Sequence, residues 1–161
     1  MAVQAAWATT VESTPRSLVD AHVEDEWSLA QTLRHLVLAT DLWFRKTVLE
    51  ADDPFHPFGL AHDGDQPGGG PLAGAAFTEQ HPSFAAVLEA RADRQGEVRA
   101  FLADVTTERL DEPRRNPWAP DHEETVRTCL HTVLEEEWEH LRYALRDLDT
   151  LTTAPAPAPT E

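Results

Sequence analysis

The chain has 161 residues, 41% of them hydrophobic, and a formal net charge of −16 at pH 7. That length and composition suit one globular domain able to bury its own core. So acidic a chain, with no basic stripe, repels phosphate backbones and anionic lipid, which argues against nucleic-acid and membrane-surface binding. One cysteine, Cys129, allows no internal disulfide. No apolar run approaches the roughly 20 residues of a membrane span, and Met1-Ala-Val-Gln lacks the charged and apolar regions of a signal peptide. A cytoplasmic protein is expected.

From Ala2 to about Ser13 helix formers dominate, until Pro15 interrupts them. Residues 16–26 carry no clear pattern. Ser28 with Gln31 makes a capping box, and Leu29, Leu33, Leu36, Leu42 and Trp43 follow, so a helix is predicted from Leu29 to about Leu49. It is apolar over most of its circumference and therefore central. Its polar edge holds Arg34, Asp41 and Arg45, while His35 lies among Leu38, Ala39 and Leu42. An imidazole on the inward side of a central helix needs a partner.

Residues 51–82 form a long connection rich in glycine and proline, including Pro67-Gly-Gly-Gly-Pro71, with at most a short helix near Leu72 to Gln80. Ser83 precedes Phe84, Val87, Leu88, Val98, Phe101 and Leu102, a pattern that predicts a third helix to about Ala103. Asp111 to Pro120 is a proline-punctuated loop. Asp121 with Glu124 reads as a second capping box, opening a last helix that runs to about Thr150. Ala154-Pro-Ala-Pro-Ala-Pro-Thr-Glu161 cannot form a helix and has nothing to bury. The expected organisation is an all-α four-helix bundle over residues 1–150, with a long loop between the second and third helices and a disordered tail over 151–161.

The last helix carries the chemistry. Glu136 and His140 stand four residues apart, about 40° on a helical wheel, with Tyr143 and Asp147 within about 20° of Glu136. This stripe borders the apolar stripe of Leu130, Val133, Leu134, Leu141, Ala144 and Leu148, a placement that suits a pocket between helices. Taken alone, Glu135, Glu136, Glu137 and Glu139 describe an ordinary solvated helix face, and a Glu–His pair at this spacing can be a surface contact of a few tenths of a kcal/mol. A lone inward His35 is likewise more often a satisfied core histidine than a ligand. Taken together, His35 from one central helix and Glu136 with His140 from another complete a His, Glu, His set with an open position, the pattern of a catalytic divalent site. Glu137 and His140 offer a rival register, Glu-x-x-His, but di-iron bundles need that motif twice and it occurs once.

The other candidates are simpler. Cys129 is about 10 Å of helix rise from Glu136 and reads as a buried structural thiol. His131 lies on the opposite side of the helix from His140. His56, His62, His81 and His122 fall in loops or at a helix start, where any could cap an ion and nothing favours one. Trp27 and Trp43 read as packing residues, with Trp43 near enough to His35 to line a pocket alongside Tyr143.

Glu26-Trp-Ser-Leu-Ala-Gln-Thr-Leu-Arg-His-Leu-Val-Leu-Ala-Thr-Asp-Leu-Trp-Phe44 resembles the first sequence block of the DinB-like superfamily. Thr125 to Leu148, with Glu-Glu-Trp-Glu-His and Arg-Asp-Leu, is similar to that family's last-helix block. The superfamily includes the metal-binding domain of mycothiol-dependent maleylpyruvate isomerase and the bacillithiol and mycothiol S-transferases. The resemblance implies an up-down-down-up bundle holding one divalent ion, and His35, Glu136 and His140 match the isomerase's His plus Glu-x-x-x-His pattern. Many members carry a histidine three residues after the last ligand, where this chain has Tyr143, and the isomerase has a second domain beyond the bundle.

The function expected on this resemblance is a metal-dependent thiol S-transferase or isomerase, with mycothiol as the thiol co-substrate and an electrophilic small molecule as its partner. Two imidazoles and a carboxylate suit zinc first, with nickel, iron or manganese as alternatives. The competing readings are a non-catalytic, stress-related metal-binding module in the form of a homodimer, and a metal-activated hydrolase with water at the open position.

Overall fold

The computed structural model describes residues 2–62, 65 and 68–153. Its frame is helical: α1 (Ala2–Ser13), α2 (Leu29–Thr40, continuing as a π-helix over Asp41–Val48), α3 (Phe84–Asp104), the short α4 (Thr107–Leu110) and α5 (Val126–Thr153). The Ser28 capping box closes the start of α2 from both sides, Ser28 Oγ accepting from the Gln31 amide and Gln31 Oε1 accepting from the Ser28 amide. Every residue of α2 except Gln31 is buried, as expected of a central helix. It packs against α3 and α5, and α1 packs against α5.

Two apolar clusters bind these helices. One joins Trp7 of α1 to Leu33 and Val37 of α2, Val87 of α3 and Leu141 of α5. The other joins Trp43, Phe44 and Val48 to Val98 of α3 and to Val126, Cys129 and Val133 of α5. A third seats the long connection, placing Phe55, Leu72 and Ala75 on Leu38 and Leu42.

The wider turn after Thr40 shows in bonds of i to i−5 spacing, Thr47 Oγ1 to the Leu42 carbonyl at 2.8 Å and the Leu49 amide to the Phe44 carbonyl at 2.9 Å. The polar edge of α2 is not a solvent face. Arg34 and Asp41 are buried beneath the connection, because its backbone groups and α3 supply their partners.

The structure corrects three expectations. Asp121 and Glu124 do not cap the last helix: Glu123–Thr125 pairs antiparallel with Pro113–Arg115 as strands β2 and β1, Arg114 facing Glu124. The helix begins at Val126, behind a reciprocal Thr125–Thr128 contact in which Thr125 Oγ1 accepts the Thr128 amide and Thr128 Oγ1 accepts the Thr125 amide. The expected short helix near Leu72 to Gln80 is only a 3-10 turn at Gly70–Leu72, in a stretch where Gly68, Gly70 and Gly74 all take positive φ. Finally, α5 reaches Thr153, three residues into the expected tail. The tail residues 154–161 lie outside the described residues.

Candidate metal centre

Three elements converge where α2 packs on α5. His35 comes from α2, where only 6% of it is exposed, and Glu136 and His140 come from successive turns of α5. His35 Nε2 lies 3.4 Å from Glu136 Oε2, and His140 Nδ1 lies 3.3 Å from the same oxygen. His62, from the long connection, is the fourth member. One nitrogen each from His35, His62 and His140 lies within 4.8 Å of the others.

Backbone carbonyls fix how the rings present themselves. His35 Nδ1 is 3.0 Å from the Leu60 carbonyl and His140 Nδ1 is 2.9 Å from the Glu136 carbonyl. A carbonyl can only accept, so each Nδ1 carries a hydrogen, and the His35 ring is left to face Glu136 with its Nε2. Hydrogen-bonded rings of this kind are how proteins orient metal-binding imidazoles.

Protonation states agree with this. Burial pushes the His140 imidazole down, and His35 lowers it further against the opposing pull of Glu136, which favours the neutral ring a ligand needs. Burial alone would raise the Glu136 carboxyl, but the hydrogen bond with His35 and the nearby imidazoles together hold it below its ordinary value. The set is therefore one carboxylate with imidazole nitrogens, a donor combination that fits a divalent first-row ion. His35 Nε2 and Glu136 Oε2 lie 3.4 Å apart while the ring's Nδ1 hydrogen is engaged by the Leu60 carbonyl, so either a second proton on the ring or a cation must lie between them.

Glu137, the rival ligand, faces the other way. It is 4% exposed and pairs with Arg91 of α3 at 2.9 Å, while its backbone carbonyl accepts the Trp7 indole N–H at 3.1 Å. One residue along a helix turns the side chain by about 100°, which separates a carboxylate in the cluster from one in the α1–α3–α5 core.

Of the pocket residues expected from sequence, Tyr143 stands edge-on to His140 at 5.9 Å and lines the adjoining cleft. Trp43 does not. It packs with Val98 and Cys129, and the indole at the cluster is Trp27, stacked on His62 at 4.8 Å and 21° and on His140 at 6.1 Å and 19°. The cleft of about 240 Å³ is completed by Asp25, Glu26, Thr32 and Asp147. A roomier cavity of about 560 Å³ lies by Lys46, Arg114 and Asn116, but no residue of the histidine cluster lines it. Reading the sequence took Trp27 for a packing residue and left His62 undistinguished among four histidines that could cap an ion. Trp27's place directly before the Ser28 cap was the one available signal, since His62 sits in a stretch without periodicity.

The model of the DinB superfamily matches residues 2–144. The chain belongs to the DinB superfamily. Neither the curated proteins nor the solved structures searched gave a match. DinB-like domains bind a metal ion, and the histidine cluster of this bundle is compatible with one. No helix among the described residues is long and apolar enough to cross a membrane.

Proposed function

We propose that this DinB superfamily protein is a metal-dependent S-transferase or isomerase for a small thiol of the mycothiol type, working on an electrophilic small molecule. His35, Glu136 and His140 hold one divalent ion, zinc before nickel, iron or manganese. The observation that carries the metal is the approach of His35 Nε2 to Glu136 Oε2 at 3.4 Å while the ring's Nδ1 hydrogen is engaged by the Leu60 carbonyl. Thiol chemistry rests on the family resemblance.

When bound, the ion lowers the pKa of a thiol or water at its remaining position. The chain's own residues do the rest. Leu60 and the Glu136 backbone hold the two imidazoles in orientation, and Trp27 and Tyr143 wall the cleft through which reactants arrive. A cytoplasmic setting, where small thiols stay reduced, suits the reaction.

The test is metal content of the purified protein, followed by mycothiol transfer to an electrophile with and without chelator. Transfer that needs the ion supports the proposal. Transfer that survives its removal refutes it, ion-dependent hydrolysis without thiol makes the protein a hydrolase, and tight metal binding with no turnover makes it a binding module.

A further inference from the structure

The connection that carries His62 is laid along α2 by alternating backbone contacts. Asp41 Oδ2 accepts the His56 amide at 2.7 Å, Arg34 Nε donates to the Phe58 carbonyl at 2.9 Å, and His35 Nδ1 donates to the Leu60 carbonyl at 3.0 Å. Residues 56, 58 and 60 are thus each fixed by a side chain of the same helix, across a turn in which the Gly59 amide donates to the His56 carbonyl at 3.0 Å, and His62 follows two residues on. Arg34 also reaches the far end of the connection, donating to the Gln80 carbonyl at 3.0 Å, and Asp41 is locked to Arg94 of α3 at 2.5 Å. Two buried polar residues of the helix that carries His35, Arg34 and Asp41, are therefore used to register a loop, which is a costly arrangement for a segment with no task.

The task is visible where the alternation ends. The His62 ring lies 4.5 Å from the His35 ring and is sandwiched on its other contact by Trp27 at 4.8 Å. Burial grades across the cluster: His35 is buried, Glu136 and His140 are half-buried, and His62 is exposed. The exposed imidazole lines the cleft together with His140, whereas His35 and Glu136 lie behind them.

We propose that His62 is a displaceable fourth ligand, which occupies the open position of the ion until a thiol takes its place. This rests on the metal reading above and deepens it: the open site is guarded, and the Arg34 and Asp41 contacts with the connection set the guard's reach. A ligand that must be displaced lowers the apparent affinity for an incoming thiol by the fraction of time the position is vacant, about tenfold if it is vacant a tenth of the time. In return the resting site excludes water and stray ligands.

The experiment uses the full chain loaded with cobalt(II), followed by visible absorption, with 2-mercaptoethanol as the thiol probe. His62→Ala should weaken cobalt binding by roughly tenfold or more, as losing a group that supports a metal does. Added imidazole should restore that affinity, and 2-mercaptoethanol should bind the loaded variant about tenfold more tightly than it binds the wild type. His62 is exposed, so thermal unfolding of the apo variant should match wild type. Unchanged metal and thiol affinities would show that His62 is no ligand. Weakened metal binding in a variant whose thiol affinity does not rise would show that it is a ligand but is not displaced. If His35→Ala and Glu136→Ala both bind cobalt as wild type does, the metal reading itself falls, and this proposal with it.

Discussion

Adjacent glutamates on α5 give the sharpest test of the site's register. Glu137 and Arg91 form an ion pair at 2.9 Å with side chains only 6% and 7% exposed, and the guanidinium also lies 5.5 Å from the Trp7 ring. Glu137→Ala leaves that guanidinium buried and unpaired, which costs about 3–5 kcal/mol. For a chain of this size each kcal/mol moves the melting temperature by about 2–4 °C, so the apo variant should melt on the order of 10 °C lower. Glu136 is different: its side chain is 29% exposed and its ionic partners are imidazoles, so Glu136→Ala should change apo stability by less than about 1 kcal/mol. Metal affinity should show the opposite order. Glu136→Ala should abolish binding in a chelator competition, and Glu137→Ala should bind nearly normally at a temperature where it is folded. A Glu137 variant that melts normally but loses the ion, beside a Glu136 variant that keeps it, would refute the assignment.

Asp41 supplies a pH prediction. Burial pushes its carboxyl up to about 6 from an ordinary 3.8, despite the opposing help of Arg94, the His56 amide and Arg45. The folded chain therefore holds this proton more tightly than the unfolded chain. The associated stability is full below about pH 3.8 and is lost as the pH rises through about 6, about 3 kcal/mol in all. Asp41→Asn cannot ionise, so the difference in urea-unfolding free energy between the two proteins should slope across that window; a flat difference would count against the assignment. Burial also pushes the Cys129 thiol up to about 11, so a thiol reagent at neutral pH should label the native protein only at its rate of opening, and rapid labelling would disprove the packed environment. Arg34→Met removes the donors to Phe58 and Gln80 and should cost about 2–3 kcal/mol in denaturant unfolding. Hydrogen exchange should speed up around residues 56–60 in that variant, and protection equal to wild type would mean the connection is held by other means.

What could be read from sequence was what repeats. The Ser28–Gln31 box and the apolar spacing after it located the start of α2 to the residue, because a helix start and a helix face are local and periodic properties. The same arithmetic put Glu136 and His140 on one stripe, while Glu137 was set aside because Glu-x-x-His occurs only once. It failed wherever a non-local partner decides. Asp121 and Glu124 satisfied the spacing of a cap, yet strand pairing with Pro113–Arg115 took those residues, a choice visible only from the opposite strand. The π-turn from Asp41 shifts the wheel beyond Thr40, and Trp43 lies among Val98 and Cys129 rather than beside His35. His62 reaches the cluster because Arg34 and Asp41 bind the backbone of its loop, and backbone groups carry no residue code to read.

The bundle's buried charges explain why the cluster asks for a cation at all. Beside Asp147, which pairs with its neighbour Arg146, three carboxylates point inward from its two central helices. Two are neutralised by α3, Asp41 by Arg94 at 2.5 Å and Glu137 by Arg91 at 2.9 Å, guanidinium pairs that need nothing further. The third, Glu136, has imidazoles for its ionic partners, and those rings have turned their Nδ1 hydrogens toward backbone carbonyls. A carboxylate matched with arginine has a permanent cation beside it, whereas one matched with histidine does not. In a chain of net charge −16, the surrounding field adds to the attraction for a positive ion. The same helix, α5, thus carries one glutamate whose countercharge is built into the fold and a neighbour whose countercharge must be supplied from solution.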